Sequence, residues 1–392
     1  MAGAHVIGAD ELRDRLAALA PIGLGDDGTT RLAWTPELAA AEAWFGDQAS
    51  AAGLRVERDP AGSLWAVPDA PGPWWATGSH LDSVRSGGRF DGALGVAAGF
   101  AAAERLGGVA VLAFADEEGA RFNTPTFGSR ALAGTLDVAD VLARRDDAGV
   151  ALADAMAEAG ADPAGLGGAP SWLPRLRGFV ELHIDQTRDL ERLGAPAGAV
   201  RALASRTRLA ITLAGRADHA GTTRRDERSD ALAAAARLIV AADELAGGDR
   251  DFLVTATRLL VEPNAFTTVP SAVRLWVDGR TPDAGRLDAW RAALATRADE
   301  LAAATGVRIE VAVASRSAGV AFDRGVVAAL GDLPELVCFA GHDAGVLAQR
   351  MPAGMVFVRN PTGISHAPEE EVDMEDAAVA ANALLGTLER LA

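Results

Sequence analysis

Five of the six histidines lie in short segments that are rich in aspartate, glutamate and glycine. These segments are 78–82, 181–186, 218–221, 341–343 and 363–366, and only His5 lies outside them. Neutral imidazole is the commonest protein ligand for a transition metal, and carboxylates complete a mixed nitrogen and oxygen shell. The pattern therefore predicts a hydrolase that depends on bound metal.

A pair of divalent metal ions about 3.5 to 4 Å apart can hydrolyse an amide or ureido C–N bond, because it acidifies a bridging water and polarises the carbonyl. Such a pair needs one bridging carboxylate and further ligands on each side. The sequence offers three imidazoles and two carboxylates for this purpose: His80, Asp91, Glu118, His183 and His366. We predict that they bind two ions, and zinc, manganese, cobalt and nickel all suit these ligands.

Other residues in these segments suit supporting roles. Asp82 could accept the outer N–H of a ligand histidine and so fix its tautomer. Glu117, beside Glu118, is the predicted general base that moves a proton from the bridging water to the leaving nitrogen. The simpler alternative for Glu117 is a solvated acid at the end of a strand. Gln186, three residues after His183, could hydrogen-bond a ureido or amide group.

Three further residues are candidate contacts to a substrate. Arg280 has the forked guanidinium that binds a carboxylate through two hydrogen bonds, although an ion pair with Asp278 or Asp283 is the alternative. His219 and His342 are candidate donors to the oxyanion that develops during hydrolysis. A capping role for His219, and a structural pair between His342 and the next aspartate, remain open alternatives.

Several apolar runs end where these polar segments begin. Short continuous apolar runs predict buried parallel strands, and open α/β sheets bind their ligands beyond the carboxyl ends of such strands. Helices are predicted over 35–52, with Thr35 as N-cap, and over 92–106. The predicted strands cover 74–78, 109–115, 179–182 and 355–358.

The segment 207–314 has a different pattern, β-α-β-β-α-β, which is typical of a ferredoxin-like domain. Its predicted strands are 208–213, 252–261, 273–277 and 308–314, and its predicted helices are 229–246 and 284–304. We expect this segment to be inserted as a lid and dimerisation domain into a di-metal catalytic domain formed by 1–206 and 315–392. The catalytic domain is expected to have a mostly parallel central sheet flanked by helices.

Composition limits the class of protein. The chain has 392 residues, of which 49% are hydrophobic, and a formal net charge of −17. Such a charge disfavours nucleic acid and anionic membranes as partners. The single cysteine, Cys338, and the lack of a signal peptide or of a roughly 18-residue apolar span favour the cytoplasm. The acidic run 369–376 is predicted to place charge at the start of the last helix and to have no binding role.

The ordered set of motifs resembles the hydantoinase/carbamoylase family of amidases, which belongs to a larger group of di-metal peptidases and aminoacylases. The resemblance runs from about residue 60 to the C-terminus. The family contains N-carbamoyl-L-amino acid hydrolases, allantoate amidohydrolases and β-ureidopropionases. The matching motifs are GSHLDS (78–83), GRFDG (88–92), DEEGARF (116–122), ELHIDQ (181–186), DHAGTT (218–223) and GISH (363–366).

The resemblance implies a metal-bridging hydroxide with Glu117 as its base, and release of ammonia and carbon dioxide from a ureido acid. It implies zinc or manganese, with Asp91 bridging, His80 and His183 on different metals, and Glu118 and His366 completing the shells. It also implies a homodimer formed through the inserted domain. The implied substrate contacts are Gln186, Arg280 and His219, the last reaching the neighbouring active site.

The chain departs from the family pattern at several positions. Asp185 replaces a usual Glu, Thr187 and Arg188 replace Gly-Pro, and Thr267 replaces an Asn that normally helps Arg280 to hold the substrate carboxylate. The departures at Thr187, Arg188 and Thr267 leave open an aminoacylase or dipeptidase that uses the same metals. A third possibility is a non-catalytic relic of the same fold that binds a small molecule. The presence of Glu117 argues against the relic, since binding alone needs no base.

Overall fold

A computed structural model describes residues 6–392, so that His5 lies outside the described residues. The helices are α1 (Ala9–Leu19), α2 (Pro36–Ala51), α3 (Ala93–Leu106), α4 (Phe127–Ala133), α5 (Val138–Ala143), α6 (Leu152–Glu158), α7 (Asp189–Leu193), α8 (Ala231–Ala246), α9 (Ala284–Thr305), α10 (Arg324–Ala329), α11 (Asp343–Leu347) and α12 (Met374–Leu391). Two 3-10 segments cover Leu166–Arg175 and Arg225–Glu227.

The strands are β1 (Leu24–Gly25), β2 (Gly28–Thr29), β3 (Arg55–Arg58), β4 (Leu64–Val67), β5 (Trp74–His80), β6 (Ala110–Phe114), β7 (Leu176–Ile184), β8 (Ala197–Leu203), β9 (Ser205–Ala214), β10 (Asp218–His219), β11 (Leu253–Glu262), β12 (Thr268–Val269), β13 (Ala272–Thr281), β14 (Arg308–Ser317), β15 (Val320–Ala321), β16 (Glu335–Cys338) and β17 (Ala353–Val358). Within the described residues, no helix is long and apolar enough to cross a membrane.

Local signals correctly predicted two helices of the first half, α2 and α3. The Thr35 side chain accepts a hydrogen bond from the N–H of Leu38, and Pro36 occupies the first position of α2, where a missing N–H has no cost. α3 begins at Ala93 and ends before Gly107, which adopts the left-handed conformation that terminates many helices. The predicted helices at 35–52 and 92–106 are therefore confirmed within one residue at each end.

The chain divides into two compact units. Unit 1 runs through Arg201 and includes Ala321–Leu336 and Gly341–Ala392. Unit 2 consists of Ala202–Val320 with Val337–Ala340. Each unit has its own hydrophobic core.

The larger sheet has nine strands. Its central four, in the order β17-β7-β5-β6, are parallel. β8 joins β17 in the antiparallel sense, and β4 and β3 extend the other side antiparallel. The fold is thus mixed α/β, as predicted, but parallel pairing is limited to the centre of the sheet. β4 is buried on both faces, so its continuous apolar run resembles that of a parallel strand.

Side-chain alternation along β7 separates the core from the polar residues. Val180, Leu182 and Ile184 join the hydrophobic core that also includes α3 and α12. Since successive side chains of a strand point to opposite faces, Glu181 and His183 project from the other face. The carboxyl ends of β5, β6 and β7 consequently carry polar groups into one region of unit 1.

Unit 2 contains a four-stranded antiparallel sheet in the order β11-β13-β9-β14. Buried residues alternate strictly along β9, with Leu209, Ile211 and Leu213 packed against α8 and α9. Along the chain the main elements follow the order β9, α8, β11, β13, α9 and β14. The short strands β10 and β12 form a separate ladder.

Candidate metal centre

His80 and His183 lie on neighbouring parallel strands, and each side chain is 1% exposed. In each ring, Nδ1 lies 3.0 Å from a backbone carbonyl oxygen, that of Asp82 for His80 and that of Ile184 for His183. These bonds call for the tautomer in which Nδ1–H donates, which leaves Nε2 as the free coordinating atom. Both Nε2 atoms are buried without a hydrogen-bond partner, as expected for nitrogens that bind a metal.

The carboxylate of Asp91 joins two groups of ligands. Its Oδ1 lies 3.2 Å from Nε2 of His80 and 3.0 Å from Nε2 of His183. Its Oδ2 lies 3.6 Å from Nε2 of His366, which is 3.4 Å from Oε2 of Glu118. In each group of three, the ligand atoms lie within 4.8 Å of one another. Asp91 is the member common to both groups, which is the arrangement that a bridging carboxylate requires.

This grouping favours an arrangement that differs from the one implied by the family resemblance, in which His80 and His183 bind different metals. Both imidazoles face the same oxygen of Asp91, because they project from adjacent parallel strands whose ends are in register. Glu118 and His366 come from loops and approach Asp91 from its other oxygen.

The backbone after Asp91 passes close to the ring of His80. Gly92 has a φ of +68°, and a β-carbon at this position would lie 2.5 Å from Cε1 of His80. Glycine alone satisfies both constraints, since other residues rarely adopt this φ and any side chain would collide with the ring. Ala93 then begins α3, so this turn sets the position of Asp91 between the strand ends.

The side chain of Asp82 hydrogen-bonds to the loop that follows β6, and it does not hydrogen-bond to His80. Its two carboxylate oxygens accept hydrogen bonds from the backbone N–H groups of Glu117 and Glu118 at 3.2 and 3.1 Å. Oδ1 of Asp82 is 3.6 Å from Nδ1 of His80, beyond hydrogen-bond distance. The prediction that the Asp82 carboxylate fixes the tautomer is therefore wrong, because the backbone carbonyl of the same residue accepts that proton.

Glu117 is buried, with 7% of its surface exposed, and its Oε2 lies 3.9 Å from Nε2 of His80. Burial raises the pKa of Glu117 well above its ordinary value; His80 opposes the rise, while the carboxylates of Asp343 and Glu118 add to it. A buried carboxyl beside the ligand histidines differs from the solvated strand-end acid that was the alternative. A raised pKa makes the carboxylate a stronger base, which suits a group that accepts and returns a proton.

The centre concentrates negative charge. Burial, followed by the charge of Asp91, raises the pKa of Glu118 to about 8. Burial also raises the pKa of Asp116 well above its ordinary value, with further contributions from Asp82 and Glu118, and both carboxylate oxygens of Asp116 lack hydrogen-bond partners. Buried carboxylates in such numbers need positive charge nearby. The donors therefore fit divalent cations in both charge and atom type.

Two predicted substrate contacts lie beside the ligands in unit 1. Nε2 of Gln186 donates to Oδ2 of Asp91 at 3.1 Å and lies 3.4 Å from Nε2 of His366. The buried ring of His342 lies 4.3 Å from that of His183, and its Nε2 has no hydrogen-bond partner. The alternative pairing of His342 with Asp343 is not observed, since Asp343 accepts a hydrogen bond from Ser129.

The other predicted contacts, His219, Thr267 and Arg280, belong to unit 2. Nδ1 of His219 accepts hydrogen bonds from the N–H groups of Gly221 and Thr222 at 3.1 and 3.2 Å, which leaves Nε2 as the donor. The backbone carbonyl of Thr267 accepts the N–H of Ala220, and the Thr267 side chain is exposed.

Arg280 donates from Nε to Asp278 at 2.8 Å and from Nη1 to the carbonyl of Phe339 at 2.7 Å. The ion pair with Asp278 that was considered as an alternative is therefore present. These two contacts involve Nε and Nη1 of Arg280, and neither involves its Nη2.

Two buried carboxylates near the ligands escaped prediction. Glu181 accepts hydrogen bonds from Oγ of Ser79 and from the N–H of Ala344 at 2.7 and 2.8 Å. Glu370 is 2% exposed and accepts the N–H groups of Phe90 and Asp91 at 3.0 and 3.1 Å. The acidic run 369–376 thus contains a buried carboxylate that holds the backbone at Asp91, a contact that the predicted charge effect did not include. Asp373 within the run caps α12, and Glu375 and Asp376 place negative charge in its first turn, as predicted for the run.

Comparison with known proteins identifies the family of the chain. Residues 66–390 match the model of the peptidase family M20/M25/M40. The N-carbamoyl-L-amino acid amidohydrolase of Geobacillus stearothermophilus is 37% identical over 99% of both chains. The allantoate amidohydrolase of Bacillus subtilis (strain 168) is 30% identical over 98% of both.

Solved structures give the same result. A hydantoinase/carbamoylase family amidase from Burkholderia multivorans superposes with a TM-score of 0.87, with 31% identity and 98% coverage of each chain. A second amidase of that description, from Burkholderia ambifaria, has the same TM-score with 30% identity and the same coverage.

Proposed function

Because the chain belongs to peptidase family M20/M25/M40 and, within it, to the hydantoinase/carbamoylase amidases, we propose that it hydrolyses the ureido C–N bond of an N-carbamoyl-L-amino acid or of allantoate. One water is consumed for each ureido group, and ammonia, carbon dioxide and an amine are released. The observation that carries the proposal is the Asp91 carboxylate, which lies within 3.2 Å of two imidazoles on one side and 3.6 Å from a third on the other.

Two divalent ions, when bound, would polarise the ureido carbonyl and acidify a water molecule. His80, Asp91 and His183 would hold one ion, and Asp91, Glu118 and His366 the other. In this proposal Glu117 takes the proton from the attacking water and delivers it to the leaving nitrogen. Its burial and raised pKa support this role, because a stronger base accepts the proton more readily.

Neutral donors would stabilise the oxyanion that forms on the carbonyl oxygen. Burial and the charge of His183 keep the pKa of His342 well below its ordinary value, so His342 is neutral near pH 7 and can donate. His219 is the second proposed donor, through its Nε2–H. Gln186 would hold the ureido amide, and Arg280 and Thr267 the substrate carboxylate.

The proposal extends to the identity of the metal and to assembly. We propose two ions of zinc or manganese per chain, a cytoplasmic location, and a homodimer formed through unit 2. Metal analysis after gentle purification at neutral pH should give two ions per chain, and fewer than one would favour a non-catalytic relic. Light scattering of the purified chain should give the mass of a dimer, and a monomer at micromolar concentration would contradict this part.

The activity is tested by the products formed from a substrate panel. Zinc- or manganese-loaded protein is supplied with N-carbamoyl-L-amino acids and with allantoate, and ammonia release is measured. Turnover of at least one of these compounds supports the proposal. Release of amine without ammonia from N-acyl amino acids or dipeptides would instead establish an aminoacylase or dipeptidase. A metal-loaded protein that hydrolyses none of the ureido compounds would refute the proposal.

A further inference from the structure

Unit 2 concentrates arginines on one face of its sheet. Ser205, Thr207 and Leu209 of β9 are buried, and the alternate positions Arg206 and Arg208 are partly exposed on the opposite face to α8 and α9. The register pairs Arg206 with Arg280 and Arg208 with Asp278. Cross-strand partners share a face, with β-carbons about 4.5 to 5.5 Å apart. Three guanidinium groups and one carboxylate therefore meet at one end of this face.

The single carboxylate is already divided between two of the arginines. Arg208 donates to Oδ2 of Asp278 from Nε and Nη2 at 3.2 and 2.9 Å. Arg280 donates to Oδ1 of Asp278 at 2.8 Å. Nε of Arg206 is buried and has no hydrogen-bond partner. The third guanidinium is thus left without a carboxylate of its own.

This arrangement is electrostatically unfavourable in the free protein. Like charges directly opposite each other on a sheet destabilise it, and Arg206 faces Arg280 across the β9–β13 ladder. Burial, with the charges of Arg208 and Arg280, lowers the pKa of the Arg206 guanidinium. Three positive charges against one negative charge leave an excess of two, in a chain whose formal net charge is −17. An anion from outside the chain would relieve this excess.

We infer that Arg206, Arg208 and Arg280 form a binding site for a dianion, and that the substrate is a ureido acid with a second carboxylate in its side chain. The inference rests on the proposed function for the identity of the ligand. A monocarboxylate would leave one charge of the excess unbalanced, whereas a dicarboxylate balances both. Guanidinium forks bind carboxylates through paired hydrogen bonds, and Arg206 is the arginine of the three that makes none to Asp278.

The test compares acids with their uncharged amides. N-carbamoyl-L-aspartate and N-carbamoyl-L-glutamate are supplied beside the matching asparagine and glutamine compounds, and kcat/KM is measured for each. We expect the wild-type protein to prefer an acid over its amide by about 10- to 100-fold, the range for loss of a charged hydrogen bond. Arg206→Gln should remove most of this preference, and Arg206→Lys should restore part of it. Arg274→Gln is the control, because Arg274 lies on β13 with Arg280 but beside Trp276, away from the cluster.

An acid-to-amide ratio near one in both pairs, or a ratio that Arg206→Gln leaves unchanged, would overturn the inference while the proposed function stands. A second measurement is independent of turnover. Calorimetric titration with succinate and with succinamate should show at least tenfold tighter binding of succinate to the wild-type protein, and no such preference in Arg206→Gln. If the protein hydrolyses no ureido compound, this titration still decides, since equal binding of both probes would refute the dianion site.

Discussion

The carboxylate of Glu370 accepts a hydrogen bond from the backbone N–H of Asp91 at 3.1 Å, and the same Oε1 accepts the N–H of Phe90. Glu370 lies four residues after the ligand His366, so it ties the segment that carries one ligand to the loop that carries the bridging one. Gly88 makes room for this contact, since a β-carbon there would lie 2.3 Å from Oε1 of Glu370. This contact joins two parts of the chain that are 279 residues apart in sequence and holds them next to each other at Asp91.

Replacement of Glu370 tests this positioning role. Glu370→Ala leaves two buried N–H groups unpaired, at a cost of about 1 to 3 kcal/mol each, and should displace the loop of Asp91. We expect the metal content to fall below one ion per chain and kcat to fall at least tenfold. Glu370→Gln keeps an acceptor oxygen and should retain both ions. If Glu370→Ala loses stability but keeps two ions and full kcat, Glu370 is only structural.

Glu117→Gln separates proton transfer from metal binding. The amide cannot take a proton from water, and general-base catalysis contributes about 10²- to 10⁴-fold, so kcat should fall by that factor. Glu117 also groups with the ligands His80 and Glu118, but it belongs to neither group that contains the bridging Asp91, so metal content should stay at two ions. Steady-state kinetics and metal analysis on the same preparation provide the check. A rate within threefold of wild type would assign the base to another residue.

The two ends of α3 offer a matched pair of glycine variants. Gly92 and Gly107 both have a positive φ, of +68° and +66°, so alanine strains the backbone at either site. Only at Gly92 would the new methyl group collide with the ring of His80; at Gly107 nothing lies within 4 Å. We expect Gly107→Ala to lose about 1 kcal/mol of stability with full activity, and Gly92→Ala to lose metal and activity as well. Equal activity in both variants would contradict the role assigned to this turn.

Asp59 should make stability depend on pH. It is buried, accepts hydrogen bonds from the N–H of Ser63 and from Nε1 of Trp65, and burial raises its pKa to about 6 from an ordinary 3.8. The folded state then binds the proton more tightly than the unfolded state, so this stabilising contribution is complete below about pH 3.8 and is lost as the pH rises through 6. Between pH 5 and pH 7 the expected loss is about 1 kcal/mol.

Urea unfolding at pH 5, 6 and 7 checks this expectation for Asp59. From pH 5 to pH 7, the free energy of unfolding of the wild-type protein should fall by about 1 kcal/mol more than that of Asp59→Asn. The exposed Asp69→Asn serves as the control and should follow the wild-type curve. Parallel curves for wild type and Asp59→Asn would show that Asp59 has no raised pKa.

The histidines at strand ends could be predicted because a buried strand is recognisable in the sequence as an apolar run. In a parallel sheet, the carboxyl ends of the strands lie at the same edge. Thus His80 and His183 were identified from local sequence. Their common contact with one oxygen of Asp91 could not be predicted, because it depends on the register of β5 against β7. Antiparallel β4 likewise resembles its parallel neighbours, because both of its faces are buried.

The supporting carboxylates were harder to predict for a similar reason. Asp82 carries acceptors on both its backbone and its side chain, and only the path of the chain decides that the side chain reaches the N–H groups of Glu117 and Glu118. Glu370 stands in a run of acids that looks like a solvated helix start. Its burial depends on the absence of a side chain at Gly88, far away in the sequence.

The most direct test of the whole account is the metal content and turnover of Asp91→Ala. Asp91 is the one residue common to both groups of ligands, so its loss should remove the link between the two ions. We predict fewer than two ions per chain, with ammonia release reduced at least a thousandfold, in a protein that remains folded. An Asp91→Ala protein that retains two ions and the wild-type rate would contradict the account.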